Sequence, residues 1–161
     1  MKRRNNSDLR LKARISAFRL LKYRLRSENE LRQRLRKKKI PEDIIEETVL
    51  FLKEKKFIDD RQFARLWTDS RLRGNLGLRR INIELKQKGL RQELIDETID
   101  EMRRSYDEEK IVYALAQEQW KKLKKLTRDK ARQRLYAWLL RRGFSVEAVI
   151  DTINKICKPT Y

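Results

Sequence analysis

Apolar residues recur along this chain at three- and four-residue intervals rather than in alternation, the period of helices packed on one face. The set Leu31, Leu35, Ile40, Ile45, Thr48 and Val49 returns as Ile81, Leu85, Leu90, Ile95, Thr98 and Ile99. It returns again as Leu135, Leu139, Phe144, Val149, Thr152 and Ile153. Apolar type is kept at every place but one, and threonine holds that one, so a single structural unit is repeated three times. Between the second and third members of each set falls a helix stop: Lys39, Gly89 and Gly143. Glycine suits such a stop because helices commonly end in the left-handed conformation, where a Cβ clashes. Lys39 departs from the pattern, and Pro41 just beyond it is expected to help end the helix instead.

Each repeat reads as three helices. In the first, Leu9, Ile15, Phe18, Leu21 and Leu25 approximate a helical stripe. Ser27 and Glu30 form a capping-box signal for a second helix, and a third opens at Pro41 with Glu42 and Asp43 in its first turn. In the second repeat Asp59 is the expected N-cap, with Phe63, Trp67 and Ser70 on one face. A break at Gly74-Asn75-Leu76-Gly77 precedes a helix through Ile81 and Leu85, and another runs over 92–102. In the third, Ser105 to Glu108 reads as another capping box, followed by helices over 107–125, 127–142 and 145–156. No segment alternates as a strand would. The expected fold is all-α, an elongated array of three tandem three-helix units over 9–58, 59–106 and 107–161, behind a basic tail over 1–8. A unit this small buries too little surface to stand alone, so neighbours are expected to stabilise one another.

Composition narrows the chemistry. The 161 residues hold 43 Lys or Arg against 24 Asp or Glu, a net charge of +19, with no His and a single cysteine, Cys157. Without His the commonest general base and metal ligand are missing, and one cysteine makes neither an internal disulfide nor a zinc site. Such a chain suits a reducing compartment, and a cytoplasmic location is expected. The basic start has no apolar run behind it, and no apolar stretch is long enough to span a membrane. Asp59-Asp60 is better explained as an N-cap and first-turn acid than as a nuclease metal site. Gly74 to Gly77 matches the clamp of RNA-binding KH domains but lacks the flanking strands. No phosphate loop or dinucleotide fingerprint occurs. The reading is of a protein that is not an enzyme and takes no cofactor or metal.

A +19 charge points to a polyanionic partner. The excess is greatest in the first repeat and the last. The second helices are basic: Arg32, Arg34, Arg36, Lys37 and Lys38, then Arg79, Arg80, Lys86 and Lys88, then Arg132, Arg134, Arg141 and Arg142. The third helices are acidic: Glu42, Asp43, Glu46 and Glu47, then Glu93, Asp96, Glu97, Asp100 and Glu101. The basic helices could track phosphates, or the two kinds could pair with each other. A helix-turn-helix that reads bases needs a trailing helix that enters the major groove, and an acidic one would be repelled. Trp67, Trp120 and Trp138 are expected to pack inward rather than to stack on bases.

The segments Phe57-Ile58-Asp59-Asp60-Arg61-Gln62-Phe63-Ala64 and Arg79-Arg80-Ile81-Asn82-Ile83-Glu84-Leu85-Lys86-Gln87-Lys88-Gly89-Leu90 resemble the hallmark of the RecX family of recombination regulators. Ser70-Arg71-Leu72-Arg73 and the Gly77 linker join them. Lys39 and the less basic Asn75-Leu76 linker depart from that pattern. A monomer is expected, since no coiled-coil heptad run argues for assembly. The resemblance implies a non-enzymatic bacterial protein that lies along the RecA filament and curbs its ATP turnover and strand exchange. Its partners would be the RecA filament and single-stranded or filament-bound DNA, with no membrane involved. Asp59, Asp60, Phe63 and Ala64 would shape the central repeat. Arg71, Arg73, Arg79, Arg80, Lys86 and Lys88 would make contacts, supported by the basic second helices of the outer repeats.

Overall fold

The repeated apolar sets do what their spacing requires: every one of those residues is buried. The computed structural model describes residues 2–157, and among them the ordered elements are helices with no strand. The elements are α1 (Lys2–Tyr23), α2 (Glu28–Lys37), α3 (Glu42–Glu54), α4 (Asp60–Arg73), α5 (Leu78–Gln87), α6 (Gln92–Arg103), α7 (Glu108–Lys122), α8 (Arg128–Arg141) and α9 (Val146–Ile156). They form three successive three-helix repeats. α1 begins at Lys2, so residues 2–8 are part of the first helix.

Packing divides the described chain into two bodies. One runs to Leu66 and takes in Leu85–Ile95; the other holds Trp67–Glu84 and the chain from Asp96 onward. The core of the first is built from Leu31, Leu35, Ile44, Ile45, Val49 and Leu52, against Ala13 and Ala17 of α1. That of the second centres on Leu135, Leu139, Phe144, Val149 and Ile153, against Val112 and Ala116 of α7.

The helix stops are left-handed in all three repeats. Lys39 has φ 57°, Gly89 75° and Gly143 87°. Lys39 ends α2 by its own backbone, with its N–H donating to Arg36 O at 2.8 Å and that of Ile40 to Leu35 O at 3.4 Å. Pro41 instead becomes the N-cap of α3. Lys56 and Asn75 take the same conformation, φ 57° and 58°, at the ends of α3 and α4.

Glycine at the later two stops is required for a second reason. A Cβ on Gly89 would stand 2.6 Å from Asn29 Cβ, and one on Gly143 would stand 2.8 Å from Arg80 Cα. Asn29 and Arg80 both lie in the first turn of a second helix, in the preceding repeat. The contact is therefore made twice in the same way. Ser27 Oγ donates to Lys88 O at 2.6 Å, and in the next repeat Gly77 N donates to Arg142 O at 2.8 Å. The end of each later second helix abuts the start of the one before it. At the stop of the first repeat the residue is a lysine, Lys39.

Caps complete the helix starts. Ser27 accepts from Glu30 N, and Glu30 reaches back to Ser27 N, as the capping box requires. Asp59 accepts from the N–H of Arg61 at 2.7 Å and of Gln62 at 3.2 Å. Asp60 does more than occupy a first turn: its carboxylate accepts from Glu28 N at 2.9 Å and so caps α2 from α4. Ser105 does not cap α7; Asp107 does, accepting from Lys110 N at 3.0 Å. Its place directly before the first helical residue sets its oxygen within reach of the third N–H.

Two expected faces are rotated. In α1 the residues buried are Ala13, Ser16 and Ala17, whereas Ile15 and Phe18 are exposed, and Leu25 is exposed beyond the end of the helix. Small side chains let α1 approach its neighbours closely, which turns the bulky ones outward. In α4 the inward face is Phe63, Ala64 and Thr68, while Ser70 is exposed.

Candidate nucleic-acid and partner interface

The second helices are basic because each uses a narrow apolar face for the core and leaves the rest to water. Their cations divide into two groups. The first group is held by the protein. Arg32 pairs with Glu46 and with Glu28, and Arg36 Nε donates to Glu42 at 2.9 Å. In the first repeat, then, the basic second helix and acidic third helix neutralise each other in part. Lys38 Nζ donates to Ser16 Oγ at 3.2 Å. Lys88 Nζ donates to Glu30 at 2.8 Å, and Arg24 donates to the same carboxylate at 2.7 Å. Burial opposes ionisation of Glu30, but the hydrogen bonds from Arg24 and Lys88 outweigh it and hold its carboxyl down to about 2. Asp60 is shifted the other way: burial raises its pKa, and the nearby Glu28 charge adds to the rise.

A second network surrounds Glu84. It accepts from Trp67 Nε1 at 3.1 Å, from Arg71 Nε at 2.7 Å and from Arg80 Nε at 3.4 Å. The Arg71 guanidinium also lies 4.2 Å over the Trp67 ring, and that of Arg142 lies 4.4 Å over Trp138. Arg142 donates to the backbone oxygens of Gly74 and Asn75, at 3.3 and 3.0 Å, and so binds the α4–α5 linker. Arg132 donates to Asn154 at 3.0 Å. The tryptophans are half-buried rather than fully inside. Trp67 and Trp138 each offer a face to an arginine, and Trp120 packs at the edge of the second core.

The second group makes no ion pair among the described residues: Arg34, Lys37, Arg73, Arg79, Lys86, Arg134 and Arg141, all exposed. Three of the expected site residues meet in one place. Arg79 and Arg80 of α5 and Arg141 of α8 line a cleft of about 710 Å³ whose apolar wall is Ile83, Leu140, Phe144 and Val146. Gly77 and Gly143 bring these helices together, since Gly77 N and Arg79 N donate to the carbonyls of Arg142 and Gly143. The remaining unpaired cations lie outside this cleft. The anchoring role of Glu84 has no sequence signal of its own, because its donors come from three different positions along α4 and α5. Among the described residues no cluster of His, Cys, Asp or Glu is arranged to hold a metal ion, and no helix is long and apolar enough to cross a membrane.

Sequence models of the three RecX three-helix domains match in order: the first over residues 13–52, the second over 59–99 and the third over 107–153. The chain belongs to the RecX family. It is similar to regulatory protein RecX of Streptomyces coelicolor, 34% identical over 144 residues that cover 89% of this chain and 76% of that one. Regulatory protein RecX of Clostridium botulinum (strain Eklund 17B / Type B) is 29% identical over 152 residues, 93% of this chain and 71% of the relative. The crystal structure of RecX from Lactobacillus salivarius has the same fold, with a TM-score of 0.77 at 21% identity over 93% of this chain and 97% of that one. The Streptomyces and Clostridium relatives are named as regulatory proteins, not as enzymes. In this RecX chain the Glu84 network falls within the second matched domain, and Arg141 and Arg142 within the third.

Proposed function

We propose that this chain regulates homologous recombination and DNA repair by binding the RecA–DNA filament and curbing its ATP turnover and strand exchange. The observation that carries the reading is the cleft where Arg79, Arg80 and Arg141 converge, in a member of a family of regulatory proteins. Guanidinium groups suit phosphate oxygens because their planar donors bind two at once. The bound cations Arg71, Arg142 and Lys88 hold the scaffold, while the cleft arginines, of which Arg80 also touches Glu84, and the unpaired cations meet the filament. An apolar wall beside the arginines favours a partner that presents protein as well as phosphate. The protein acts without catalysis of its own.

Binding to bare single-stranded DNA and to the RecA filament, each measured between 50 and 200 mM salt, tests this reading. A general nucleic-acid binder that neutralises six to ten phosphates loses roughly 10³–10⁵ in affinity over that range. The expected result is filament binding that is tighter and less salt-sensitive than binding to bare DNA. Equal affinity and equal salt slopes for the two would reject the regulator reading.

A further inference from the structure

Helix α1 has two apolar faces. One packs inward through Ala13, Ser16 and Ala17. The other points away from the core: Leu11, Ile15 and Phe18 follow at i, i+4 and i+7 and are 60%, 42% and 38% exposed. The stripe continues onto a second element. The Phe18 ring meets that of Phe57 edge to face, with centroids 4.9 Å apart, and Phe57 is itself 51% exposed. Isolated exposed apolar residues are ordinary, but a run over two helical turns joined to a second element marks a surface that binds something. The rim of this surface is cationic. Lys12, Arg19 and Lys22 are exposed and make no ion pair among the described residues, and from Ser7 to Tyr23 the only carboxylate is Asp8.

We infer that the outer face of α1, extended by Phe57, docks an acidic amphipathic helix of a partner protein. Leucine-like residues at helical spacing would cover Leu11, Ile15 and Phe18, and flanking carboxylates would meet Lys12, Arg19 and Lys22. A nucleic acid would use the cations but leave the stripe in water. A membrane-surface helix needs a broader apolar face, and Arg14 and Lys22 interrupt this one. A second copy of the chain, at +19, would set like charge against like. The face shares no residue with the arginine cleft, and the inference stands without the recombinase reading.

The test uses the full chain and a fluorescein-labelled synthetic helix with leucines on one face and glutamates flanking them. A sister peptide with lysine flanks, vesicles of phosphatidylcholine with phosphatidylglycerol, and sedimentation of the protein alone accompany it. The inference expects saturable binding of the glutamate peptide only. It expects the loss of at least about tenfold in affinity for the Ile15→Ser/Phe18→Ser pair, and a similar loss for Lys12→Glu/Arg19→Glu. Far-ultraviolet circular dichroism should be unchanged in both, since all four side chains are exposed. No saturable peptide binding, equal binding of both peptides, or binding undiminished in both variants would overturn the inference. So would vesicle binding without peptide binding, or a dimer that Ile15→Ser/Phe18→Ser disperses.

Discussion

Gly143 lies so close to the first turn of α5 that a methyl group on its Cα would stand 2.8 Å from the Cα of Arg80. The backbone is also left-handed there, with φ 87°, so two independent penalties fall on any side chain at this position. Gly89 meets the preceding repeat in the same way, but its nearest neighbour is the Asn29 side chain rather than backbone. Repeats of this chain therefore join through a glycine at the end of one second helix and the opening turn of another.

From that difference Gly143→Ala is expected to destabilise by about 2–4 kcal/mol, the left-handed Cβ and the backbone overlap together. Gly89→Ala should cost less, and Asn29→Ala should recover part of the loss by clearing the overlap. No side-chain truncation at Arg80 should rescue Gly143→Ala fully, because the overlap there includes backbone. Urea unfolding of the two single variants and the Asn29 double variant measures all three.

Lys39 is the mirror case. It bears a side chain at φ 57°. Lys39→Gly should stabilise the protein by about 1 kcal/mol by relieving the left-handed Cβ contact. A rise in the thermal midpoint is the readout; a fall would mean that the lysine side chain itself contributes.

Glu30 links repeats through Lys88 and titrates in a defined window. Its folded-state value, down to about 2 against an ordinary 4.5, means that its stabilisation is present above pH 4.5 and is lost as pH falls toward 2. Discounted for solvent screening of this partly exposed network, the amount is on the order of 1–2 kcal/mol. Asp60, with its pKa raised, works in the opposite sense: the folded state holds that proton more tightly, so acidification favours folding there. Stability measured against pH in Glu30→Gln should show a shallower acid limb than in the parent chain. An unchanged limb would show that the Lys88 and Arg24 bonds to Glu30 contribute little in solution.

The two groups of cations should separate in their effects. Arg71→Ala removes a hydrogen bond to Glu84 and a guanidinium from the face of Trp67, and is expected to cost about 1–2 kcal/mol of stability. Arg79→Ala, which breaks no ion pair, should leave unfolding within about 0.5 kcal/mol of the parent and weaken binding instead. Paired unfolding and binding assays on the two variants check the division.

Much of this architecture is legible in the sequence because a threefold repeat states its core three times. Leu35, Leu85 and Leu139 identify one another, and Gly89 and Gly143 announce the turn that follows. The left-handed turn at Lys39 is hidden because only glycine or asparagine advertises that conformation locally. The phase of α1 is hidden for a different reason. Its buried face is made of Ala13, Ser16 and Ala17, while Ile15 and Phe18, which read as core, face water. The basic character of the interface is plain from composition, but which cations are spent on structure is not. Glu30 and Lys88 are far apart in the chain, and the pairing appears only when two repeats are stacked.

ATP turnover by the cognate RecA on single-stranded DNA, titrated with this protein at near-physiological salt and with DNA in excess, shows whether the protein acts on the filament. Excess DNA prevents simple competition for the strand from mimicking regulation. Turnover is expected to fall at substoichiometric protein, and Arg79→Glu/Arg141→Glu, folded to the same extent, to lose most of that effect. Turnover unaltered by the parent chain, or lowered equally by the double variant, would contradict that expectation.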